Sequence, residues 1–159
     1  MDDLIDLNRT IAEHWLGTLE PRQEAYLGYV PICLGDLAPN AAELARVLAH
    51  PEHKHDNSPA VTRLNSEYLR LARVAARDAL AGEVEMLIML GIDNFEQARV
   101  LASLTNEKLE RLACSWGGPI ISFNSQAFTR GAALNPRAAR IHAIGFIAVK
   151  EQPNTGAES

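Results

Sequence analysis

Four cationic side chains occupy a long stretch of the chain that contains no carboxylate. This stretch spans residues 114–150, in a chain whose overall net charge is -5. Its cations are Arg130, Arg137, Arg140 and Lys150. By contrast, residues 1–57 hold 4 Lys/Arg against 10 Asp/Glu. This division of charge is typical of a protein that contacts a polyanion, although chance in a short segment produces the same pattern.

A predicted helix begins inside this basic segment. Asn135 suits the N-cap position, and Pro136 suits the first helical position. Backbone amides and the positive end of the helix dipole favour phosphate at such a helix start. The predicted DNA-contacting residues are Arg130, Asn135, Arg137, Arg140 and His142. The apolar residues that extend the helix to about Lys150 are Ile141, Ile144 and Ile147.

Arg137 and Arg140 are three residues apart, so they share one face of this helix and both can meet one DNA backbone. So few cations bind DNA only weakly, and a dimer or a partner must therefore supply further contacts. The alternative is that the arginines pair with the acidic N-terminal segment, within the protein or within a dimer.

Three histidines lie close together in HPEHKHDNSP, residues 50–59. With Asp56, the histidines are candidate metal ligands, because imidazole and carboxylate groups both bind zinc. The alternative is a solvated linker, since proline, asparagine and serine favour loops and no second ligand cluster exists elsewhere. The linker interpretation predicts no metal and no cofactor.

The sequence contains none of the short motifs that mark common enzymes. There is no Gly-rich phosphate loop, no Gly-x-Ser-x-Gly and no HExxH, so we expect no catalytic activity. Cys33 and Cys114 are far apart and lack a Cys-x-x-Cys spacing, so both are predicted to be reduced and packed. The acidic start and the lack of a long apolar run predict a cytoplasmic protein without a membrane contact.

Hydrophobic periodicity predicts helices before residue 57. One carries Leu4, Leu7, Ile11 and Trp15, and a second runs from Asn40 to Ala49. The stretch between them contains Gly28, Pro31, Gly35 and Pro39 and is predicted to be irregular. One hypothesis is that this acidic extension adds a partner surface. Another is that it covers the basic C-terminal part until DNA or a partner displaces it.

The pattern after residue 57 predicts a long helix, Ala60 to Leu90, with a weak point near Gly82. Gly91 is then a suitable residue for the left-handed position after a helix. Two caps follow, with Asp93 and Glu96 forming a capping box and Thr105 beginning the next helix. A short β-like run is expected at residues 120–123. The sequence therefore predicts an all-α fold of a long helix, a short helical hairpin and a basic C-terminal helical region.

The hairpin segment LGIDNFEQARVLASLTNEKLERLA, residues 90–113, has the rhythm of a DNA-reading helix-turn-helix. Its second helix carries Lys108 and Arg111 but also Glu107 and Glu110, so it is electrostatically neutral. A DNA-reading helix needs net positive charge to approach phosphates. The charge pattern thus favours a scaffold or partner-binding role over base reading.

The middle of the chain resembles the FlhD family, a subunit of the flagellar master transcriptional regulator. The segments that carry the resemblance are LNSEYLRLARVAARD (64–78), LGI (90–92), ARVLASLT (98–105), LERLA (109–113), Phe123 and, more weakly, RIHAIGFIA (140–148). It covers residues 60–150. Residues 1–57 have no counterpart in the family, and Cys114 does not align with the cysteine found in typical members, so no intersubunit disulfide is expected.

The resemblance implies an α-helical protein that dimerises through its long helices and binds a zinc-binding, FlhC-like partner subunit. Such a complex would activate transcription on promoter DNA together with RNA polymerase. The residues assigned to the dimer or partner interface are Leu64, Tyr68, Leu71, Val74, Leu87, Leu101 and Leu109. The alternative is a helical adaptor that regulates another protein and never contacts DNA.

These interpretations divide the chain into three parts. Residues 1–57 form an acidic helical extension and linker, and residues 58–150 form the FlhD-like helical domain. Residues 151–159 are predicted to be a disordered tail.

Overall fold

The computed structural model of the protein describes residues 2–50 and 57–150. These residues are predominantly helical, which confirms the predicted all-α class. The helices are α1 (Asp2–Leu16), α2 (Pro21–Leu27), α3 (Ala41–Ala49), α4 (Pro59–Leu80), α5 (Glu85–Met89), α6 (Phe95–Ala102), α7 (Asn106–Ser115), α8 (Ser125–Ala133), α9 (Pro136–Ile144) and α10 (Phe146–Lys150). Two short strands, β1 (Gly35–Leu37) and β2 (Ile121–Phe123), pair in a small sheet, and β2 confirms the β-like run expected there.

Contacts divide the chain into two compact units, and the division differs from the expected boundary at residues 57 and 58. The terminal unit comprises the described residues up to Gly35 and from Phe123 onward. The central unit comprises the described residues from Asp36 to Ser122. The difference arises because α1 and α2 pack against α8, while α3 packs against α6 and α7. The assignment of residues 58–150 to one FlhD-like domain stays a prediction, and the tail at 151–159 lies outside the described residues.

The terminal unit is built around apolar residues from both ends of the chain. Helix α1 has the predicted amphipathic pattern, with Leu4, Leu7 and Ile11 buried. It ends before Gly17, whose φ of 77° lies in the left-handed region that favours glycine. The largest aromatic side chains of this core are Tyr26, Phe128 and Phe146, each fully buried.

A buried asparagine on α1 holds the segment that follows α2. The Asn8 side-chain amide donates to the Ile32 carbonyl oxygen at 2.9 Å, and its oxygen accepts from the Leu34 N–H at 2.8 Å. The predicted irregular stretch, residues 26–39, is confirmed only in part, since α2 includes Tyr26 and Leu27 and β1 begins at Gly35. The Asn8 contacts show how this non-helical backbone is satisfied in the core.

The predicted long helix Ala60 to Leu90 is wrong in its length. Helix α4 ends at Leu80, and the shorter α5 begins at Glu85. The break occurs at Gly82, whose φ of 103° is accessible to glycine but strained for other residues. The N–H groups of Ala81 and Glu83 both donate to the Asp78 carbonyl oxygen, which closes the turn.

Most helix caps follow the sequence. Asn40 with Glu43 forms a capping box on α3, Thr105 caps α7, and Asn135 caps α9. The capping box at Asp93 is wrong, because the side chain of Asn94 accepts from the N–H groups of Glu96 and Gln97 instead. Gly91 has the expected left-handed conformation, with a φ of 73°.

The C-terminal helix is shorter than predicted. Helix α9 ends at Ile144 and α10 begins at Phe146, so Gly145 separates two helices where the sequence predicted one continuous helix to about Lys150.

Two asparagines anchor the glycine-rich turn after α7 in the central unit. Asn65 is fully buried and donates to the carbonyl oxygens of Ala113 and Gly118 at 3.1 and 3.0 Å, while accepting from the Ile120 N–H at 2.8 Å. Asn57 donates to the same Ala113 oxygen and accepts from the Gly118 N–H at 2.7 Å. These contacts join α4 to α7 and to the turn before β2.

We predict that Asn65→Ala lowers the free energy of unfolding by about 3 kcal/mol, because buried backbone groups at Gly118 and Ile120 lose their partner. Urea unfolding followed by circular dichroism measures the change. Asn106→Ala, on the exposed side of α7, is the control and should stay within about 0.5 kcal/mol of the parent. A change at Asn65 equal to that of the control would contradict this structural role.

Candidate functional site

Helix α9 is fixed to the terminal unit by one face only. The Asn135 side-chain oxygen caps the helix by accepting from the Ala138 N–H at 2.9 Å. On its inner face, Ala139 and Ala143 are buried. The helical period then places a second set of residues together on the exposed face. This α9 face consists of Arg137, Arg140, Ile141 and Ile144, all of them exposed.

The positive charge of the α9 face is not neutralised. Arg130, in the last turn of α8, is exposed as well. Among residues 2–50 and 57–150, no carboxylate lies within ion-pairing distance of Arg130, Arg137 or Arg140. The Arg140 guanidinium lies 5.1 Å from the centre of the Tyr29 ring, a cation–π contact that orients it without removing its charge. The fourth cation, Lys150, donates to the Cys33 carbonyl oxygen at 3.0 Å.

The side chains of two of the five predicted DNA-contacting residues form hydrogen bonds with other groups of the protein. Asn135 caps α9, and His142 is hydrogen-bonded through Nδ1 to the Tyr26 hydroxyl. Burial, and then the charge of Arg130, lower the pKa of His142, while burial raises the pKa of Tyr26. Both shifts favour a neutral imidazole that is hydrogen-bonded to a neutral tyrosine hydroxyl. Asn135 and His142 therefore position α9, and the cations that face outward are the arginines.

Gly131 makes the contact between Tyr26 and His142 possible. A Cβ atom built on Gly131 would overlap both the Tyr26 hydroxyl oxygen and the His142 Nδ1 atom. Helix α8 can approach these two side chains only because residue 131 has no side chain. No signal in the sequence marked this glycine, since it lies inside a helix without a turn or a positive φ.

The isoleucines of the C-terminal helices face away from the core. The exposed fractions are 65% for Ile141, 71% for Ile144 and 47% for Ile147. The buried positions are taken by smaller residues, Ala139 and Ala143, and by Phe146. The sequence predicted a helix from the isoleucines, and the alanine pair at four-residue spacing was the available signal for the inner face.

The predicted dimer or partner interface is mostly core of the central unit. Five of its seven side chains are at most 4% exposed, namely Leu64, Tyr68, Leu87, Leu101 and Leu109. Leu71 is half-buried and Val74 is 55% exposed. In this fold the five buried residues cannot also form an accessible surface. Dimerisation itself stays a prediction, and Leu71 and Val74 are the members of the set that a second chain can reach.

Three of the four charged side chains of α7 form ion pairs among the described residues. Arg111 pairs with Glu107 at 3.1 Å, and Arg70 of α4 pairs with Glu110 at 3.0 Å. Glu110 also accepts from the Ser66 hydroxyl at 2.8 Å. These charges of α7 thus pair with side chains of the central unit, which agrees with a scaffold role for the hairpin.

Cys33 is buried as predicted, whereas Cys114 is exposed, so the prediction that it is packed is wrong. Within residues 2–50 and 57–150, no group of three His, Cys, Asp or Glu side chains could hold a metal ion. The candidate ligands His53, His55 and Asp56 lie outside the described residues. No helix in the described ranges is long and apolar enough to cross a membrane.

Comparisons of the chain with protein-family models, with curated proteins and with solved structures gave no match.

We predict that Gly131→Ala lowers the free energy of unfolding by about 1–3 kcal/mol, because the added methyl group must displace Tyr26 or His142. The matched control is Gly145→Ala, whose new Cβ would lie 3.8 Å from its nearest neighbours and has room. Thermal and urea unfolding of both variants measure the difference. Equal stability of the two variants would show that the contact at Gly131 is loose.

The lowered pKa of His142 predicts a pH-dependent stability. The unfolded chain binds the histidine proton first as the pH falls below the ordinary value of 6.5, so this contribution is complete above that pH and is lost as the pH falls through it. Urea midpoints between pH 7.5 and 5.5 should therefore fall less steeply in His142→Gln than in the parent. An unchanged slope in His142→Gln would contradict the assignment.

Proposed function

We propose that the protein is a non-catalytic, FlhD-like subunit of a transcriptional activator. In this proposal it forms a homodimer and acts with a zinc-binding, FlhC-like partner on promoter DNA, in contact with RNA polymerase. The observation that carries the proposal is the exposed, unneutralised arginine cluster of Arg130, Arg137 and Arg140. The resemblance of residues 60–150 to the FlhD family agrees with it.

The spacing of the cluster suits a DNA backbone. Arg137 and Arg140 are separated by about 4.5 Å along the axis of α9, so both guanidinium groups can reach neighbouring phosphates on one strand. Arginine suits this role because its planar group makes bidentate contacts with phosphate oxygens. The contact would be sequence-independent, since phosphates position a protein on DNA but do not identify bases.

The proposal requires a second protein. Three arginines release too few counterions for tight binding at physiological salt. A homodimer doubles that number, and a partner subunit would add base contacts. A dimer surface on α4 would have to use exposed side chains such as Val74 rather than the buried leucines.

We predict that Arg137→Glu with Arg140→Glu abolishes promoter binding by the complex with the partner and leaves dimerisation intact. Binding is measured by fluorescence anisotropy at several salt concentrations, and dimerisation by analytical ultracentrifugation. In a milder variant, Arg137→Gln with Arg140→Gln, the slope of log affinity against log salt should fall in magnitude by about 2 for each DNA-bound protomer, or about 4 for the homodimer, since each lost phosphate contact removes about 0.9.

The control for this experiment is Arg63→Glu with Arg99→Glu. This variant changes the net charge by the same amount. Arg63 and Arg99 both form exposed ion pairs in the central unit. If the control loses as much affinity as the α9 variant, the effect is one of net charge. If the α9 variant keeps full affinity, the DNA contact is wrong.

The second candidate function is a helical adaptor that binds another protein. The specific observation is that Ile141 and Ile144 share the exposed face of α9 with the two arginines. Phosphates gain nothing from exposed isoleucines, whereas apolar patches with a polar rim mark protein interfaces. Unchanged DNA affinity in the Arg137→Glu, Arg140→Glu variant, together with loss of a protein partner, would favour this adaptor role.

A further inference from the structure

The C-terminal helices present a mixed apolar and cationic surface, the α9 docking face. It consists of Arg137, Arg140, Ile141, Ile144 and Ile147. Its most exposed isoleucine, Ile144, has a fractional exposure of 71%. Ile141 and Ile144, at i and i+3 of α9, have the spacing by which one helix packs on another, and Ile147 follows on α10 after the break at Gly145.

The docking face is held in place from behind. Ala139 and Ala143 are buried on the inner face of α9, and Phe146 is fully buried at the start of α10. The hydrogen bond between His142 and Tyr26 fixes the rotation of α9 about its own axis. The isoleucines therefore lie outward because the inner face is already occupied, and they are available to another molecule without rearrangement.

We propose that the α9 docking face binds an acidic amphipathic helix of a partner protein. The inference goes beyond the DNA contact, which does not need the isoleucines, and it deepens the adaptor candidate, on which it rests, by assigning the chemistry of the partner. The apolar residues of the partner helix would pack on Ile141, Ile144 and Ile147, and its carboxylates would pair with Arg137 and Arg140 at the rim.

The positive charge of the α9 docking face determines which charge the partner helix must carry. Residues 114–150 contain no carboxylate, so a partner that covers the isoleucines meets cations and no anions from this segment. A basic helix would be repelled, and an uncharged one would leave two guanidinium groups partly desolvated and unpaired. Acidic residues flanking an apolar face satisfy both conditions. The face covers two to three helical turns, which sets the length of the partner segment.

A second copy of the chain fits this face poorly. Pairing of α9 with α9 would bring arginines of the same sign together, without a carboxylate on either helix. The acidic helix α1 is amphipathic, but its apolar residues Leu7 and Ile11 are buried in the chain's own core.

An anionic lipid surface fits less well than a protein helix. The net charge of the chain is -5, so an anionic membrane repels most of the molecule. Stable attachment of an interfacial helix needs a large apolar face together with a basic patch, and α9 offers nine residues and two arginines.

DNA and the acidic helix would compete, since Arg137 and Arg140 belong to both proposed contacts. The isoleucines separate the two contacts experimentally. Removing their side chains should weaken helix binding and spare DNA binding, because a phosphate backbone has no apolar group for them to cover.

The experiment places a photo-cross-linking residue beside the docking face of the full chain, as Ala148→p-benzoylphenylalanine, in cells that express the protein naturally. Ala148 is exposed and lies one turn beyond Ile144. Mass spectrometry then identifies the segment that becomes cross-linked. We expect an acidic segment with apolar residues at helical spacing.

Two variants test whether the docking face makes this contact. Ile141→Ser with Ile144→Ser should lower the cross-link yield at least about tenfold, given the apolar area that two isoleucines bury. Arg137→Glu with Arg140→Glu should lower it similarly, and lysines placed at the mapped acidic positions of the partner should restore it. Leu80→Ser with Ile88→Ser removes exposed apolar side chains of the central unit, 49% and 60% exposed, and should leave the yield unchanged.

Four outcomes would overturn the proposal: a cross-linked segment that is basic or uncharged, a cross-link mainly to a second copy of the chain, a yield that neither α9 variant lowers, or no protein cross-link at all. Flotation with phosphatidylglycerol vesicles tests the lipid surface, and vesicle binding lost in Ile141→Ser with Ile144→Ser would also count against a protein helix.

DNA affinity of that same isoleucine variant distinguishes the DNA-contact proposal from the helix-binding proposal. If it binds DNA normally but loses the cross-link, both proposals stand. If the parent protein binds no DNA yet the cross-link behaves as expected, only the DNA proposal fails.

Discussion

Burial of the Tyr26 side chain is the interaction on which the terminal unit depends. Tyr26 is fully buried, its ring centre lies 5.3 Å from that of Phe128, and its hydroxyl group is hydrogen-bonded to His142. The contact joins residues 116 positions apart in sequence. Helices from the two ends of the chain therefore share one core, and α9 is held by side chains that the beginning of the chain supplies.

This packing bears on the role of the acidic N-terminal segment. The hypothesis of a removable cover requires a segment that can leave without exposing a core. Helix α1 instead buries Leu7 and Ile11 fully, and Asn8 satisfies backbone groups at Ile32 and Leu34. The contacts thus favour a structural role for residues up to Gly35. On the exposed side of α1, Arg9 pairs with Asp6 and with Glu24 of α2, each at 3.2 Å.

The arginines of the chain fall into two groups that composition cannot separate. On α4, Arg77 donates to the carbonyl oxygens of Ala102 and Leu104, each at 3.1 Å. Guanidinium groups are stabilised there because the carbonyl end of α6 carries partial negative charge. The arginines of α8 and α9 have no such partner among the described residues. The candidate site is therefore made of positive charge that the folding of the described residues does not neutralise.

Sequence by itself determined the features that depend on a few neighbouring residues: the all-α class, the caps at Thr105 and Asn135, and the left-handed glycine at 91. It failed where two local choices were nearly equal, as between Asp93 and Asn94 for the cap of α6. Only the tertiary structure decided which apolar residues are covered, because burial depends on helices distant in sequence. Leu64 and Tyr68 are consequently buried within the chain, and Ile141 and Ile144 are exposed. The same physical reason made Gly131 invisible to the sequence, since its role exists only where Tyr26 and His142 meet.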